Sequence, residues 1–168
     1  MEKHNFNQLL LKTAFSCMAC DGHIDDREVE LIKSLAKEKN FFGDLDTRAE
    51  LQKLIVEIND HGHGFLRQYL KELDAAHLNE EEELMVIKVA VDIIEADNEI
   101  EYSEIKFFKI IRTHLEILDE EVLKSYPEFE EYLEKDVISD SYYISLQNDF
   151  FENYKTPQFE SLKIDEDL

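Results

Sequence analysis

The sequence predicts an all-α fold, and three observations support this prediction. Only 2 Pro and 4 Gly occur in 168 residues, so few residues would interrupt a helix. Apolar residues between Phe6 and Cys20 recur at spacings of three and four, which places them on one helical face. From Leu84 to Ile94 the chain is apolar except for Lys88 and Asp92. Such a segment is typical of a helix buried at the centre of a domain.

The first half of the chain predicts four helices. Apolar spacing indicates helices over residues 5–20 and 25–40, followed by a turn at Phe41-Phe42-Gly43. Thr47 and Glu50 have the spacing of a capping box and would begin the third helix, which ends before a His-Gly-His-Gly segment. A shorter helix is predicted over residues 65–74.

The second half begins with the predicted central helix. Asn79 and Glu82 have N-terminal cap spacing, and the four glutamates from residue 80 to residue 83 lie where the helix dipole favours negative charge. A sixth helix is expected over residues 105–115. Pro127 suits the first turn of a later helix.

We divide the chain into a helical domain over residues 1–138 and a C-terminal extension over residues 139–168. The extension is rich in aromatic residues, and Phe150 and Phe151 are expected to pack on the core. A protein-contact surface is the alternative role for these aromatic residues. The last dozen residues follow Pro157, end in an acidic segment, and are expected to fray or to bind another molecule.

Charge limits the classes of partner. The chain has 40 Asp and Glu against 18 Lys and Arg, for a net charge of -22. Such a surface repels phosphate backbones, so nucleic acid is not expected as a partner. Neither a signal peptide nor an apolar run of membrane-spanning length is present in the sequence, which predicts a cytoplasmic protein without membrane insertion. The expected partner is a protein with a basic surface; the sequence leaves open a homodimer.

An internal repeat relates residues 14–36 to residues 90–112 at an offset of 76. Each copy has an apolar helix, the pattern Asp-[Gly/Asn]-x-Ile-x-x-x-Glu, and an amphipathic helix. Gly and Asn tolerate the left-handed backbone at the end of a helix, so capping of a helical corner explains much of the pattern. The matched pairs are Ala14 and Ala90, Asp21 and Asp97, Ile24 and Ile100, Glu28 and Glu104, and Lys33 and Lys109.

The two acidic segments resemble the signature of TerB-like, tellurite-resistance-associated proteins. The resemblance rests on Asp21-Gly22-His23-Ile24-Asp25-Asp26-Arg27-Glu28 and on Glu95-Ala96-Asp97-Asn98-Glu99-Ile100 with Glu104, and it covers about residues 10–115. It implies two similar helical halves around a pair of central helices. It also implies cation binding by acidic residues, in proteins of resistance and stress complexes.

The acidic corners are the candidate metal site. A regular EF-hand loop does not fit, because its first ligand position would be Cys17 in one copy and Ile93 in the other. If the fold brings both corners together, their oxygens would suit a hard, calcium-like divalent cation. The candidate ligands are Asp21, Asp25, Glu28, Asp97, Glu101 and Glu104.

Cysteine and histidine give weaker signals. Cys17 and Cys20 form a CxxC pair with His23 nearby, but the pair closes an apolar helix and no second zinc pair follows. We therefore interpret the cysteines as buried core residues. His61 and His63 could bind a transition metal, but a solvent-exposed turn is the preferred interpretation.

The sequence contains no P-loop, G-x-S-x-G or H-E-x-x-H motif, and we predict a non-enzymatic protein. The resulting hypothesis is an acidic, TerB-like protein-interaction module. The alternative is a cation-binding or metal-sensing protein that uses the acidic corners.

Overall fold

The computed structural model describes residues 3–20, 26–37, 42–95, 102–133 and 140–153, with the backbone alone for residues 3, 4, 26–29, 63, 102 and 140–146. All regular structure in these ranges is helical, as predicted. The helices are α1 (Lys3–Ala19), α2 (Asp26–Lys37), α3 (Thr47–His61), α4 (His63–Ala75), α5 (Glu80–Ile94), α6 (Tyr102–Thr113), α7 (Asp119–Ser125), α8 (Glu130–Leu133) and α9 (Asp140–Asn153), with a 3-10 turn at Pro127–Phe129.

The core is built on α1 and α5, which share the most extensive contact between any two of these helices. The predicted burial of the apolar segment of α5 is confirmed for seven residues: Val86, Ile87, Val89, Ala90, Val91, Ile93 and Ile94. Helices α2 and α6 each contact both α1 and α5. The two central helices are therefore covered by the same pair of neighbours.

Helix α1 is buried more completely than its sequence indicated. Its apolar spacing predicted one covered face, yet α3 and α4 also pack on it. The polar residues Lys12 and Thr13 are consequently buried as well. Thr13 satisfies its hydroxyl by donating to the carbonyl of Leu9 at 2.9 Å, which is the usual way a helix accommodates a buried threonine.

The start of α3 corrects the predicted capping box. Thr47 is the first helical residue rather than the cap, and Asp46 Oδ1 accepts a hydrogen bond from the backbone N–H of Ala49 at 3.0 Å. The preceding turn contains Gly43 at φ +61°. A Cβ there would lie 2.5 Å from Asn7 Nδ2, so glycine allows both the left-handed backbone and the close approach of α1.

The remaining predictions differ in outcome. The α5 capping box is confirmed, because Asn79 Oδ1 accepts from the Glu82 N–H and the Glu82 carboxylate accepts from the Asn79 N–H, each at 3.0 Å. Pro127 opens the 3-10 turn. Helix α7 was not predicted, because its seven residues offer too little apolar periodicity.

Helix α9 closes one side of the core. Phe150 and Phe151 are buried, and the Phe150 ring stacks on Phe107 of α6 with a centroid distance of 5.5 Å. The expected fraying of the last dozen residues concerns a segment outside the described ranges. In the ranges described above, no helix combines the length and apolar character needed to cross a membrane.

Candidate functional site

The acidic corners lie almost entirely outside the described residues. This holds for Asp21, Asp25, Asp97 and Glu101, and for the side chain of Glu28, whose backbone belongs to α2. Glu104 is described, and its side chain is buried in α6 with 4% exposure. Among the described side chains, no group of three or more His, Cys, Asp or Glu is placed to hold a metal ion.

The helices that follow the two corners occupy matching positions in the chain. Helices α2 and α6 each contain 12 residues, and α6 begins and ends 76 residues after α2. The repeat partners Ile32 and Phe108 are both buried, as are Leu35 and Ile111. The offset found in the sequence therefore also relates the bounds of two helices and the residues that they bury.

Cys17 and Cys20 are buried at the end of α1, in agreement with their interpretation as core residues. His61 is exposed as the last residue of α3, and its Nδ1 lies 2.9 Å from the carbonyl oxygen of Glu57. The side chain of His63 lies outside the described set. Among the side chains that the structure describes, these residues belong to no group of three or more His, Cys, Asp or Glu that could hold a metal ion.

A groove lies where the start of α5 meets the loop between α6 and α7. Its volume is about 480 Å³. We call it the acidic groove and define it by its lining: Leu78, Glu80, Glu83, Glu116, Ile117, Leu118 and Glu121. Four of these seven residues are glutamates, so the groove carries negative charge around apolar side chains.

Glu83 fixes the loop that forms one wall of the acidic groove. It is only 5% exposed, and its two carboxylate oxygens accept backbone hydrogen bonds from Glu116 at 3.0 Å and Ile117 at 2.6 Å. Hydrogen bonds to a carboxylate are stronger than bonds between neutral groups. The buried charge is therefore satisfied by the loop, and the loop is anchored to the first turn of α5.

Arg112 holds the same loop from the other side. Its guanidinium donates to the carbonyls of Leu115, at 3.3 Å, and Ile117, and to the carboxylate of Asp119 at 2.9 Å. One planar group thus links the end of α6, the loop and the start of α7.

Leu118 lies at the edge of the acidic groove and is unusually exposed. Its exposure is 65%, although it directly precedes the first residue of α7. Among the described residues, the other large exposed hydrophobic side chain is Val56 at 58%. Among the described residues, Glu80 and Glu116 near Leu118 form no salt bridge, although Lys124 lies within electrostatic reach of Glu80. The result is an apolar side chain beside carboxylates that no salt bridge neutralises.

Comparison of the chain with protein-family models, with curated proteins and with solved structures finds no match. The function must therefore be argued from the geometry.

The sequence predicted neither the acidic groove nor the role of Glu83. The four glutamates from residue 80 to residue 83 were interpreted only as favourable to the helix dipole. A signal for Glu83 was present, because it precedes Val86, Ile87 and Ala90 by three, four and seven residues, which is the spacing of one helical face. A glutamate on the buried face of a helix needs a partner.

Proposed function

We propose that this protein is a non-enzymatic interaction module that binds a basic protein segment in the acidic groove. The observation that carries the proposal is the placement of Leu118, 65% exposed, beside the carboxylates of Glu80 and Glu116. A partner segment that fits this surface presents an apolar side chain to Leu118 and has Lys or Arg on either side of it.

Charge complementarity favours such a partner over a second copy of this chain. Each copy has a net charge of -22, so two copies repel each other, whereas a basic segment is attracted. The rigid mounting of the loop adds to affinity, because Glu83 and Arg112 fix its conformation before binding. Homodimerisation remains the alternative outcome of the binding test.

The TerB-like relationship is part of the same proposal. Its support is the repeat at offset 76, the equal lengths of α2 and α6, and their shared contacts with α1 and α5. These features agree with two similar helical halves around a central pair. A role in stress or tellurite-resistance complexes is what the resemblance implies, and a cytoplasmic location belongs with it.

A peptide titration tests the acidic groove. The probe is a short synthetic peptide in which lysines flank one leucine, titrated into the full isotope-labelled chain and followed by amide chemical shifts. We expect shifts centred on residues 78–83 and 116–121. Leu118→Ser and the double variant Glu80→Gln with Glu116→Gln should each weaken binding about tenfold, since each removes an anchor or its charge.

Val56→Ser is the matched control, because it removes a similarly exposed apolar side chain from another helix. Equal effects of Val56→Ser and Leu118→Ser would contradict the proposal. So would concentration-dependent self-association that the peptide does not reverse and that Leu118→Ser abolishes, because that result would assign the surface to a homodimer.

The alternative function is cation binding at the acidic corners, and its support is the acidic pattern that recurs in the sequence at an offset of 76. Calcium should raise the thermal stability of a protein that binds it only when folded. Because salt alone screens a charge of -22, sodium chloride at matched ionic strength is the control. A larger rise with calcium, lost in Asp21→Asn and Asp97→Asn with peptide binding intact, supports this alternative. Equal rises with both salts contradict it.

A further inference from the structure

A second groove, which we call the cationic groove, lies between α4, the end of α6 and α9. Its volume is about 390 Å³, within the range of small-molecule sites in proteins. Leu70 and Phe151 are buried beneath it. Its polar lining includes Arg67, Lys71, Asp74 and His114. Basic side chains thus gather in one groove of a chain that carries 40 acidic residues.

Arg67 and Lys71 have no carboxylate partner among the described residues. Other cations in those ranges do, such as Lys12, Lys88 and Arg112. Residues 67 and 71 are one helical turn apart on α4, so their charges repel each other. An anion bound between them would relieve that repulsion.

Arg67 is held in place by an aromatic ring. Its guanidinium carbon lies 4.5 Å from the centre of the Phe151 ring. Phe151 is itself buried and packs edge-on against Phe150 at 5.2 Å. A cation–π contact of this kind restrains the position of the guanidinium, whose N–H groups can still make a bidentate contact. Carboxylate and phosphate groups match that edge geometrically.

The Asp74 carboxylate in the cationic groove already has a partner within the protein. Asp74 Oδ1 lies 2.6 Å from Nδ1 of His114, which directs the Asp74 charge to the imidazole rather than to Lys71. The Nε2 atom of His114 has no partner in the described part of the chain. The amides of Gln147 and Asn148 on α9 also line the groove and can donate further hydrogen bonds.

The net charge of the whole protein does not prevent anion binding here. At physiological ionic strength the screening length is about 8 Å, so distant carboxylates contribute little to the potential inside the groove. Among the residues that line the groove, Arg67 and Lys71 carry positive charge, and the one carboxylate, that of Asp74, is bonded to His114.

From these observations we propose that the cationic groove binds a small organic anion through a carboxylate or phosphate group. Arg67 makes the bidentate contact, Lys71 neutralises the charge, and the side-chain amides of Gln147 and Asn148 donate further hydrogen bonds. This site is separate from the acidic groove and does not depend on the function proposed for it.

Titration with two probes tests the proposal. Inorganic phosphate and succinate are added separately to the full isotope-labelled chain, with chloride adjusted to keep the ionic strength constant. We expect saturable amide shifts confined to residues 67–74, 114 and 147–151 with at least one probe. Saturation by phosphate alone assigns a phosphate ligand, and saturation by succinate alone assigns a carboxylate ligand.

Variants distinguish anion binding through specific contacts in the groove from nonspecific attraction by positive charge. Lys71→Gln should weaken binding of the effective probe about tenfold, because it removes one charge-assisted hydrogen bond. Arg67→Lys keeps the charge but loses the planar edge, so it should weaken binding as well. Lys37→Gln makes the same charge change at the exposed last residue of α2 and should leave binding unchanged.

Three results would overturn the proposal: no saturable shift with either probe, unchanged affinity in Lys71→Gln, or saturation by a polyglutamate peptide when neither small anion binds. The last result would make the groove a contact surface for an acidic protein.

Discussion

The hydroxyl of Tyr69 donates a 2.9 Å hydrogen bond to Oγ1 of Thr13 inside the core. Both side chains are fully buried, and the bond connects α4 to the central helix α1. Thr13 in turn donates to the carbonyl of Leu9. The chain therefore buries a short polar network in which each hydroxyl donates one hydrogen bond.

Removing the Thr13 hydroxyl should lower the free energy of unfolding more than removing the Tyr69 hydroxyl does. Tyr69→Phe leaves the Thr13 hydroxyl bonded to Leu9, and the free energy of unfolding should fall by about 1 kcal/mol. Thr13→Val leaves the Tyr69 hydroxyl buried without its acceptor, with an expected loss of about 1–3 kcal/mol. Urea denaturation of both variants measures the difference. A smaller loss in Thr13→Val than in Tyr69→Phe would contradict the prediction.

The same tyrosine predicts a dependence of stability on pH. Burial raises the pKa of Tyr69 far above its usual range, and the charge of Cys17 adds to the effect. The folded state therefore holds this proton more tightly than the unfolded state does. The resulting stability is complete below a pH of about 10, the usual tyrosine pKa, and is lost as the pH rises above that value.

Denaturation of wild type and Tyr69→Phe at a pH of about 8 and a pH of about 11 tests this dependence. The advantage of wild type should shrink at the higher pH, by at most about 1.4 kcal/mol per pH unit. Burial also raises the pKa of Tyr132, which donates a hydrogen bond to Glu95, but both proteins retain that residue. A difference that does not change with pH would show that Tyr69 is not the titrating group.

Substitution of Glu83 should destabilise the protein more than substitution of any other glutamate in the first turn of α5. In Glu83→Gln one oxygen becomes an amide nitrogen that cannot accept, so one of the two loop N–H groups loses its partner. The expected loss of unfolding free energy is about 1–3 kcal/mol. Glu81→Gln, an exposed change in the same turn, should stay within about 0.5 kcal/mol of wild type. Similar denaturation midpoints for the two variants would show that the loop does not depend on Glu83.

Lys12 forms a partly buried ionic contact with two glutamates, and its replacement by a neutral side chain can be tested. Its ammonium lies 3.0 Å from carboxylate oxygens of both Glu57 and Glu72, and its side chain is 11% exposed. Lys12→Met should stay within about 1 kcal/mol of wild type, because the methionine fills the space and both carboxylates reach water. The double variant Glu57→Gln with Glu72→Gln should lose more, because it leaves a buried ammonium without an opposite charge. The reverse order, measured by thermal and urea denaturation, would contradict this prediction.

Local spacing explains the parts of the fold that the sequence predicted correctly. The cap of α5 depends on Asn79 and Glu82, which are three residues apart, so its geometry is set by local contacts. At α3 the same spacing rule selected Thr47, one residue too late, because Asp46 is as good a cap. The conformation of the preceding turn decides which of these two residues becomes the N-cap of α3.

The features of the two grooves could not be predicted in the same way, because they join distant residues. The bonds from Glu83 to the loop span 33 and 34 residues, and the contact between Asp74 and His114 spans 40. The rotation of each helix about its own axis decides which of several similar side chains come into contact with a neighbouring helix or loop. Composition indicated an acidic protein, but it did not indicate that Arg67 and Lys71 would lie together without carboxylate partners.

Arg112 connects stability to the proposed function, since it holds the loop that presents Leu118. A lysine at this position keeps the charge but has a single ammonium, which cannot reach the carbonyls of Leu115 and Ile117 and the carboxylate of Asp119 together. Arg112→Lys should therefore lower the unfolding free energy by about 1–2 kcal/mol and speed hydrogen exchange at the loop amides. It should also weaken binding of the lysine-flanked leucine peptide, because the groove is no longer held in its binding conformation.

Arg48→Lys makes the same chemical change on α3, away from the acidic groove, and should leave exchange and peptide binding unaltered. If Arg112→Lys accelerates loop exchange and peptide affinity stays at the wild-type value, the anchored loop is not what binds the peptide. If neither quantity changes, the guanidinium is not what holds the loop.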